Sequence, residues 1–252
     1  MSAVLSEYLD VPSPGGVVRA LVARPKSSVE SLPGVIAWSD IFQLTPSHVR
    51  MVRRLAGHGF FVVAPEIYSR LEPAGTVFDF DRDRQRALDA AEKTQLAWVD
   101  EAQQAVLSWV VSRPDVQSAR IGACGWCFGG HVAFRAALHP RVKATACFYA
   151  TGVHNGTLGA ARGDAGTIER SPEIHGSLLL VWGREDPHIP AEGRLKIHQA
   201  LESAGVQYES RSYDAEHAFM RDEGPRYDPE SADRAFSEMI DLFRRHLGVL
   251  RT

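Results

Sequence analysis

The feature that most narrows the fold of this chain is Gly125-Trp126-Cys127-Phe128-Gly129, set between two stretches of opposite character. Arg120 to Cys124 is apolar after its first residue and reads as a short buried strand. Phe128 to Leu138 carries apolar residues at helical spacing and two glycines in its first turn. A strand that turns directly into a helix around one residue holds that residue in a strained conformation at the tip. Glycines flank it because a Cβ there would collide with the turn or the neighbouring strand. The Cys127 sulfur would then sit at the positive end of a helix, which favours thiolate over thiol. A buried cysteine beside a packing glycine is the plainer reading of the same residues, and the rest of the chain has to decide between them.

Val17 to Ala23, Gly34 to Trp38, Phe60 to Ala64, Lys143 to Tyr149, Ser177 to Trp182 and Tyr208 to Tyr213 read as further strands. Ser47 to Ala56, Asp79 to Lys93, Thr94 to Val111 and Ala232 to Leu247 read as helices. This alternation predicts an α/β fold with one mostly parallel, doubly wound sheet, and residues 1–252 as a single domain. The long loop is Thr151 to Gly176, which carries Gly152, Gly156, Gly159, Gly163 and Gly166. A phosphate cradle would need such glycines between a strand and a helix, followed by a lysine. The segment lacks that pattern and is expected to be a mobile cap over a site.

Composition removes several classes of function. A net charge of −3 without basic clusters argues against nucleic acid as a partner. Met1 to Asp10 carries Glu7 and Asp10 and lacks a basic start followed by an apolar run, so no secretion signal is expected. No apolar run approaches the roughly 18 residues a membrane span needs. Three cysteines without a signal point to a reducing cytoplasm rather than a disulfide framework.

A cysteine nucleophile needs a histidine to take its proton and a third group to fix the imidazole. In a doubly wound sheet such groups sit on loops after the carboxyl ends of strands. Two loops qualify: Gly183-Arg-Glu-Asp186 and Asp214-Ala-Glu-His217. The resulting order of nucleophile, acid and histidine is that of an α/β-hydrolase. Glu185 rivals Asp186 as the acid, although the G-x-x-D spacing favours Asp186; His188 and His131 rival His217 as the base. The fold then points to an oxyanion site made by the N–H of Phe128, the residue after the nucleophile, and the N–H of Ile41 on the loop after Trp38.

At these residues the sequence resembles the dienelactone hydrolase family, the cysteine branch of the α/β-hydrolases, over about Val17 to Leu247. The likeness is carried by Gly-Trp-Cys127-Phe-Gly-Gly, Trp38-Ser-Asp40-Ile-Phe, Ala64-Pro-Glu-Ile-Tyr68, Asp83-Arg-Gln-Arg86, Gly183-x-x-Asp186 and His217-Ala-Phe-x-Arg221. The resemblance implies a core of eight strands, no metal or cofactor, and hydrolysis of a lactone or ester that carries a carboxylate. It also implies that Arg86 and Arg221 bind that carboxylate, and that Asp40 gates the thiol where the family has a glutamate. Aromatic residues expected one and two turns beyond Arg86 are replaced by Ala90 and Lys93. The partner expected is a small-molecule substrate, with neither nucleic acid nor membrane, for a monomer or homodimer.

Three alternatives stay open on sequence. One is a general thiol esterase without preference for acids. Another takes Cys124-Gly-Trp-Cys127 as the C-x-x-C of a thiol–disulfide oxidoreductase, although Cys124 lies inside an apolar strand and the motif leaves Asp186 and His217 unused. The last is a non-catalytic ligand receptor on the same fold.

Overall fold

The computed structural model describes residues 3–26 and 30–248. Met1 and Ser2 of the stretch read for a secretion signal lie outside them. In chain order the elements are β1 (Val4–Ser13), β2 (Gly16–Pro25), β3 (Leu32–Trp38), α1 (Pro46–Ala56), β4 (Phe61–Pro65), α2 (Arg84–Lys93), α3 (Leu96–Ser112) and β5 (Val116–Trp126). There follow α4 (Phe128–Ala136), β6 (Val142–Phe148), β7 (Thr157–Leu158), β8 (Ala161–Arg162), β9 (Ser177–Gly183), α5 (Ala191–Ser203), β10 (Tyr208–Tyr213) and α6 (Pro229–Leu247).

Eight strands form one sheet in the order β1-β2-β4-β3-β5-β6-β9-β10. From β4 to β10 neighbours run parallel, while β1 and β2 form an antiparallel hairpin closed at Ser13↔Gly16. The inner parallel strands β3, β4, β6 and β9 are apolar on both faces because helices cover both faces, whereas β10 at the edge is polar and half-exposed. A Cβ on Gly34 would touch Val110 of α3, whereas one on Gly122 would touch Phe243 and Leu247 of α6. Gly34 pairs with Ile121, the neighbour of Gly122, so the alternation of the strand puts α3 and α6 on opposite faces. No helix among the described residues is long and apolar enough to cross a membrane.

Three sequence expectations change. β1 escapes a periodicity search because it is an edge strand whose residues are mostly exposed, Leu5 and Tyr8 included. The helix expected from Asp79 begins only at Arg84, because the Asp79 carboxylate accepts from the N–H groups of Asp81 (3.1 Å) and Arg82 (3.0 Å) and closes a turn there. Segment 151–176 borders the pocket, but it is tied down rather than loose. Ala160 N–H reaches Thr94 O at 2.8 Å, Thr151 N–H reaches Cys127 O at 3.3 Å, and β7 and β8 pair within it. Its centre is held by buried Thr167, whose hydroxyl meets His131 Nε2 at 2.8 Å and Arg135 Nη1 at 2.9 Å.

Candidate active site

The elbow forms where β5 ends and α4 begins. Cys127 has φ 57° and ψ −118°, a left-handed backbone that costs a non-glycine residue of order 1–3 kcal/mol. The surrounding sheet fixes it: Cys127 N–H donates to Phe148 O at 3.0 Å, and Cys127 O accepts from Gly130 at 3.0 Å. A Cβ on Gly125 would stand 1.9 Å from Gly129 O, and one on Gly129 would stand 2.1 Å from Ser39 O. The two glycines therefore let the helix start on top of its own strand and against the end of β3. That second approach brings the loop carrying Ile41 beside the nucleophile.

The loops after β9 and β10 meet the elbow from the other side. A Cβ on Gly183 would lie 2.3 Å from Ala215 O, so this glycine allows the two loops to touch. Asp186 is buried and its Oδ2 accepts from His217 Nδ1 at 2.7 Å, while its Oδ1 accepts from His188 N–H at 2.8 Å. Glu185, the rival acid, is exposed. The His217 side chain also hydrogen-bonds Cys127. Burial works to lower the basicity of His217, but the charge of Cys127 and the bonds to Asp186 and Cys127 outweigh it and raise the pKa to about 10. Tyr149 and His188 flank the imidazole edge-on, with ring centroids 5.0 and 4.7 Å away. The loop itself is anchored to α1, where Arg50 holds Asp222 at 2.7 Å and Glu223 at 2.6 Å.

The other two histidine and cysteine rivals have structural surroundings. His131 is fully buried between Thr151 O (3.0 Å) and Thr167 Oγ1, and burial first, then Arg135, lowers its pKa to about 3. Cys124 is 0% exposed, and burial pushes its thiol well above the usual range. A redox pair needs a sulfur that can reach a partner as thiolate, which Cys124 cannot.

A cavity of ≈ 450 Å³ opens over Cys127 and His217. Ile41, Phe42, Phe80, Leu88 and Ala218 give it apolar walls, and Phe128 and Ile41 both line it. Phe128 is the first residue of α4, so its N–H has no intrahelical acceptor. Arg221 also lines the cavity, stacked over Phe80 and Phe42 at 4.2 and 4.8 Å. Its guanidinium is held by Asp40 Oδ2, with Nη2 at 2.5 Å and Nε at 3.2 Å, and both side chains are largely buried. Asp40 Oδ1 accepts from Phe42 N–H at 2.9 Å. Asp40 thus reaches Arg221, a partner that the sequence did not suggest.

Arg86 is not part of the pocket. Its Nε meets Glu72 at 3.2 Å and its guanidinium lies over Phe78, outside the cavity lining. The residue that lines the cavity from this helix is Arg84. The expectation for Arg86 came from the resemblance alone; in the structure Glu72 holds Arg86 outside the lining, and Arg84, at the start of α2, takes the place by the cavity. Arg162 and Arg226 complete the basic rim, paired with Glu92 at 3.1 Å and Glu216 at 3.0 Å, while Arg84 has no carboxylate partner among the described residues. Their placement at the mouth depends on long-range contacts and leaves no mark in local sequence.

A family model described as the dienelactone hydrolase family matches residues 18–247. The chain is 32% identical over 244 residues to a protein of Saccharomyces cerevisiae assigned as a carboxymethylenebutenolidase, covering 93% of this chain and 89% of that one. It is 30% identical over 246 residues to a similarly assigned protein of Synechocystis sp., covering 97% and 98%. A crystal structure from Klebsiella pneumoniae, of a protein assigned as a dienelactone hydrolase, superposes with a TM-score of 0.85 at 27% identity, over 97% of this chain and all of that one. The matched span runs from β2 to the end of α6 and takes in the elbow and both loops. The chain therefore belongs to the dienelactone hydrolase family and is a hydrolase of carboxylic esters or lactones.

Proposed function

We propose that this hydrolase works through a Cys127–His217–Asp186 triad and an acyl-enzyme, on a substrate that carries a carboxylate. The observation that supports it best is the unbroken chain from Asp186 Oδ2 through His217 to Cys127 at the floor of the cavity. His217 takes the thiol proton, and Asp186 holds the imidazole in the tautomer that presents Nε2 to the sulfur. The thiolate attacks the carbonyl carbon, and the N–H groups of Phe128 and Ile41 receive the oxyanion. As the C–O bond breaks, the imidazolium gives its proton to the departing alkoxide or enolate. Water, deprotonated by His217, then attacks the thioester and releases the acid, returning the thiolate–imidazolium pair.

Arg221 and Arg84 are the receptors for the substrate carboxylate, one deep in the cavity and one at its rim. Asp40 occupies Arg221 until the acid arrives. A second reading, a general thiol esterase indifferent to acids, is favoured by the same Asp40–Arg221 pair, since it already neutralises the deeper arginine. The test is a single-turnover reaction with a 4-nitrophenyl ester quenched in acid. A mass increase confined to the Cys127 peptide is expected, together with loss of the nitrophenolate burst in Cys127→Ala. An acyl group on any other residue would refute the triad.

A further inference from the structure

A second imidazole stands beside the base of the triad, and the triad leaves it unused. His188 follows Asp186 by two residues, with Pro187 between them. Proline has no N–H, so the first backbone donor after Asp186 is that of His188. It donates to Asp186 Oδ1 at 2.8 Å and closes a turn on the side chain of the aspartate. One buried carboxylate therefore sets both histidines. Its Oδ2 holds the ring of His217 at 2.7 Å, and its Oδ1 holds the backbone of His188. The two rings meet edge to face, with centroids 4.7 Å apart and planes 77° apart.

The two flanks of His217 differ. Tyr149, with its ring centroid 5.0 Å from that of His217, is 2% exposed and belongs to the core. His188 is exposed, and it lines the cavity together with Cys127 and His217. Among the described residues no hydrogen bond occupies its ring nitrogens. Burial and then His217 lower its basicity; Asp186 opposes them, and Arg226 and Arg84 add to them. The ring is therefore neutral at neutral pH, with one N–H to donate. A leaving oxygen must come within ~3 Å of His217 Nε2, which supplies its proton. On the cavity side the ring beside His217 is that of His188. With centres 4.7 Å apart, an oxygen held by one ring at about 3 Å lies within reach of the other.

We propose that His188 is a catalytic residue that donates a hydrogen bond to the departing oxygen of the substrate. The inference rests on the reading of His217 as the acid and base of the triad. When the tetrahedral intermediate collapses, the C–O electron pair moves onto that oxygen, and the His217 imidazolium gives it a proton. His188 keeps its own proton and stabilises the charge that develops before the transfer is complete. An alkoxide needs this help most and a nitrophenolate least, so His188 makes turnover less dependent on the leaving group.

The experiment uses 4-nitrophenyl, phenyl and ethyl butyrate, neutral esters that share one acyl group and make no demand on Arg221. His188→Phe keeps a flat ring against His217 and removes the donor. In it, kcat/KM for the ethyl ester relative to the nitrophenyl ester should fall about tenfold, the effect of one hydrogen bond to a charged group. His188→Gln, which restores a side-chain donor, should recover part of that loss. Hydrolysis of the butyryl-enzyme, followed in single turnover, should not reproduce the fall, because by then the leaving group has gone. A ratio that stays at the wild-type value in His188→Phe overturns the proposal. So does an equal fall on all three esters with slower butyryl-enzyme hydrolysis, the mark of a ring that only orients His217. A His188→Gln variant as impaired as His188→Phe overturns the donor role as well. If His217→Ala forms and hydrolyses the butyryl-enzyme at the wild-type rate, the triad reading fails and this inference with it. A functional triad beside an unaltered ratio in His188→Phe sinks this inference alone.

Discussion

Replacing Asp40 by asparagine tests how the pocket stores and releases the charge of Arg221. Arg221 and Asp40 have side-chain exposures of 16% and 14%, and the guanidinium is sandwiched by Phe42 and Phe80. Unit charges about 4 Å apart attract by ~4 kcal/mol at an effective dielectric of about 20, before desolvation is subtracted. Breaking a fully buried pair costs about 3–5 kcal/mol because the survivor stays charged and unpaired. Here the pair faces a cavity open to water, and asparagine keeps an oxygen for Phe42 N–H, so about 2 kcal/mol is the expected loss. For a chain of this size each kcal/mol moves Tm by roughly 2–4 °C, which gives a fall of about 4–8 °C in thermal unfolding. The freed Arg221 should bind acids better, lowering KM for mono-4-nitrophenyl succinate by up to about tenfold. A non-reacting dicarboxylate at about 100 times its Kd should add about 2.7 kcal/mol, enough to recover the lost Tm in full. An unchanged Tm together with an unchanged KM for the acid would show that Asp40 and Arg221 are not coupled, and the reasoning would be refuted.

Other outcomes follow from the same geometry. Arg84→Ala should raise KM for the acidic ester about fivefold to tenfold, whereas Arg86→Ala, which removes contacts to Glu72 and Phe78 outside the cavity, should leave it unchanged; steady-state kinetics on both variants decides. Gly129→Ala puts a methyl 2.1 Å from Ser39 O and 2.3 Å from Trp38 O, so the elbow and the Ile41 loop must part by about 1 Å, a displacement that can cost ~100-fold in kcat. Normal kcat in a folded Gly129→Ala would show that the oxyanion donor does not come from that loop. The pH dependence has two signs. His131 and His48 have pKa values lowered to about 3 and about 4, so the stability they give is complete above their ordinary 6.5 and is lost as pH falls toward those values. His217, raised to about 10, contributes stability that is complete below 6.5 and is lost as pH rises through about 10. Urea midpoints should therefore decline on both sides of neutrality, and a flat acid limb would mean that His131 and His48 are not buried neutral.

What could be read in the sequence was whatever backbone sterics impose locally. Gly125 and Gly129 flank a nucleophile because no Cβ fits at either place, and that demand is written into five consecutive residues. Asp186 could be separated from Glu185 by spacing alone, and the structure buries the first and exposes the second. β6 and β9 were visible because parallel strands under helices are apolar runs. α5 was not visible, because only Gly193, Ile197 and Leu201 of its 13 residues are buried, too narrow a stripe to stand out.

The arginines show where local reading ends. Arg84 and Arg86 lie two positions apart in the same charged run, and helical periodicity gives each a face but no direction for the pocket. That direction is set by the Asp79 turn at the start of α2 and by Glu72, 14 positions away, which captures Arg86. Arg221 was legible as a residue near the base, yet its partner Asp40 is 181 positions distant. The charge that a substrate meets in this cavity is consequently a property of pairs. An arginine already seated on a buried carboxylate attracts an acid only by as much as it can exchange one carboxylate for another. Selectivity for acids therefore turns on what the Asp40 carboxylate meets once Arg221 has let it go.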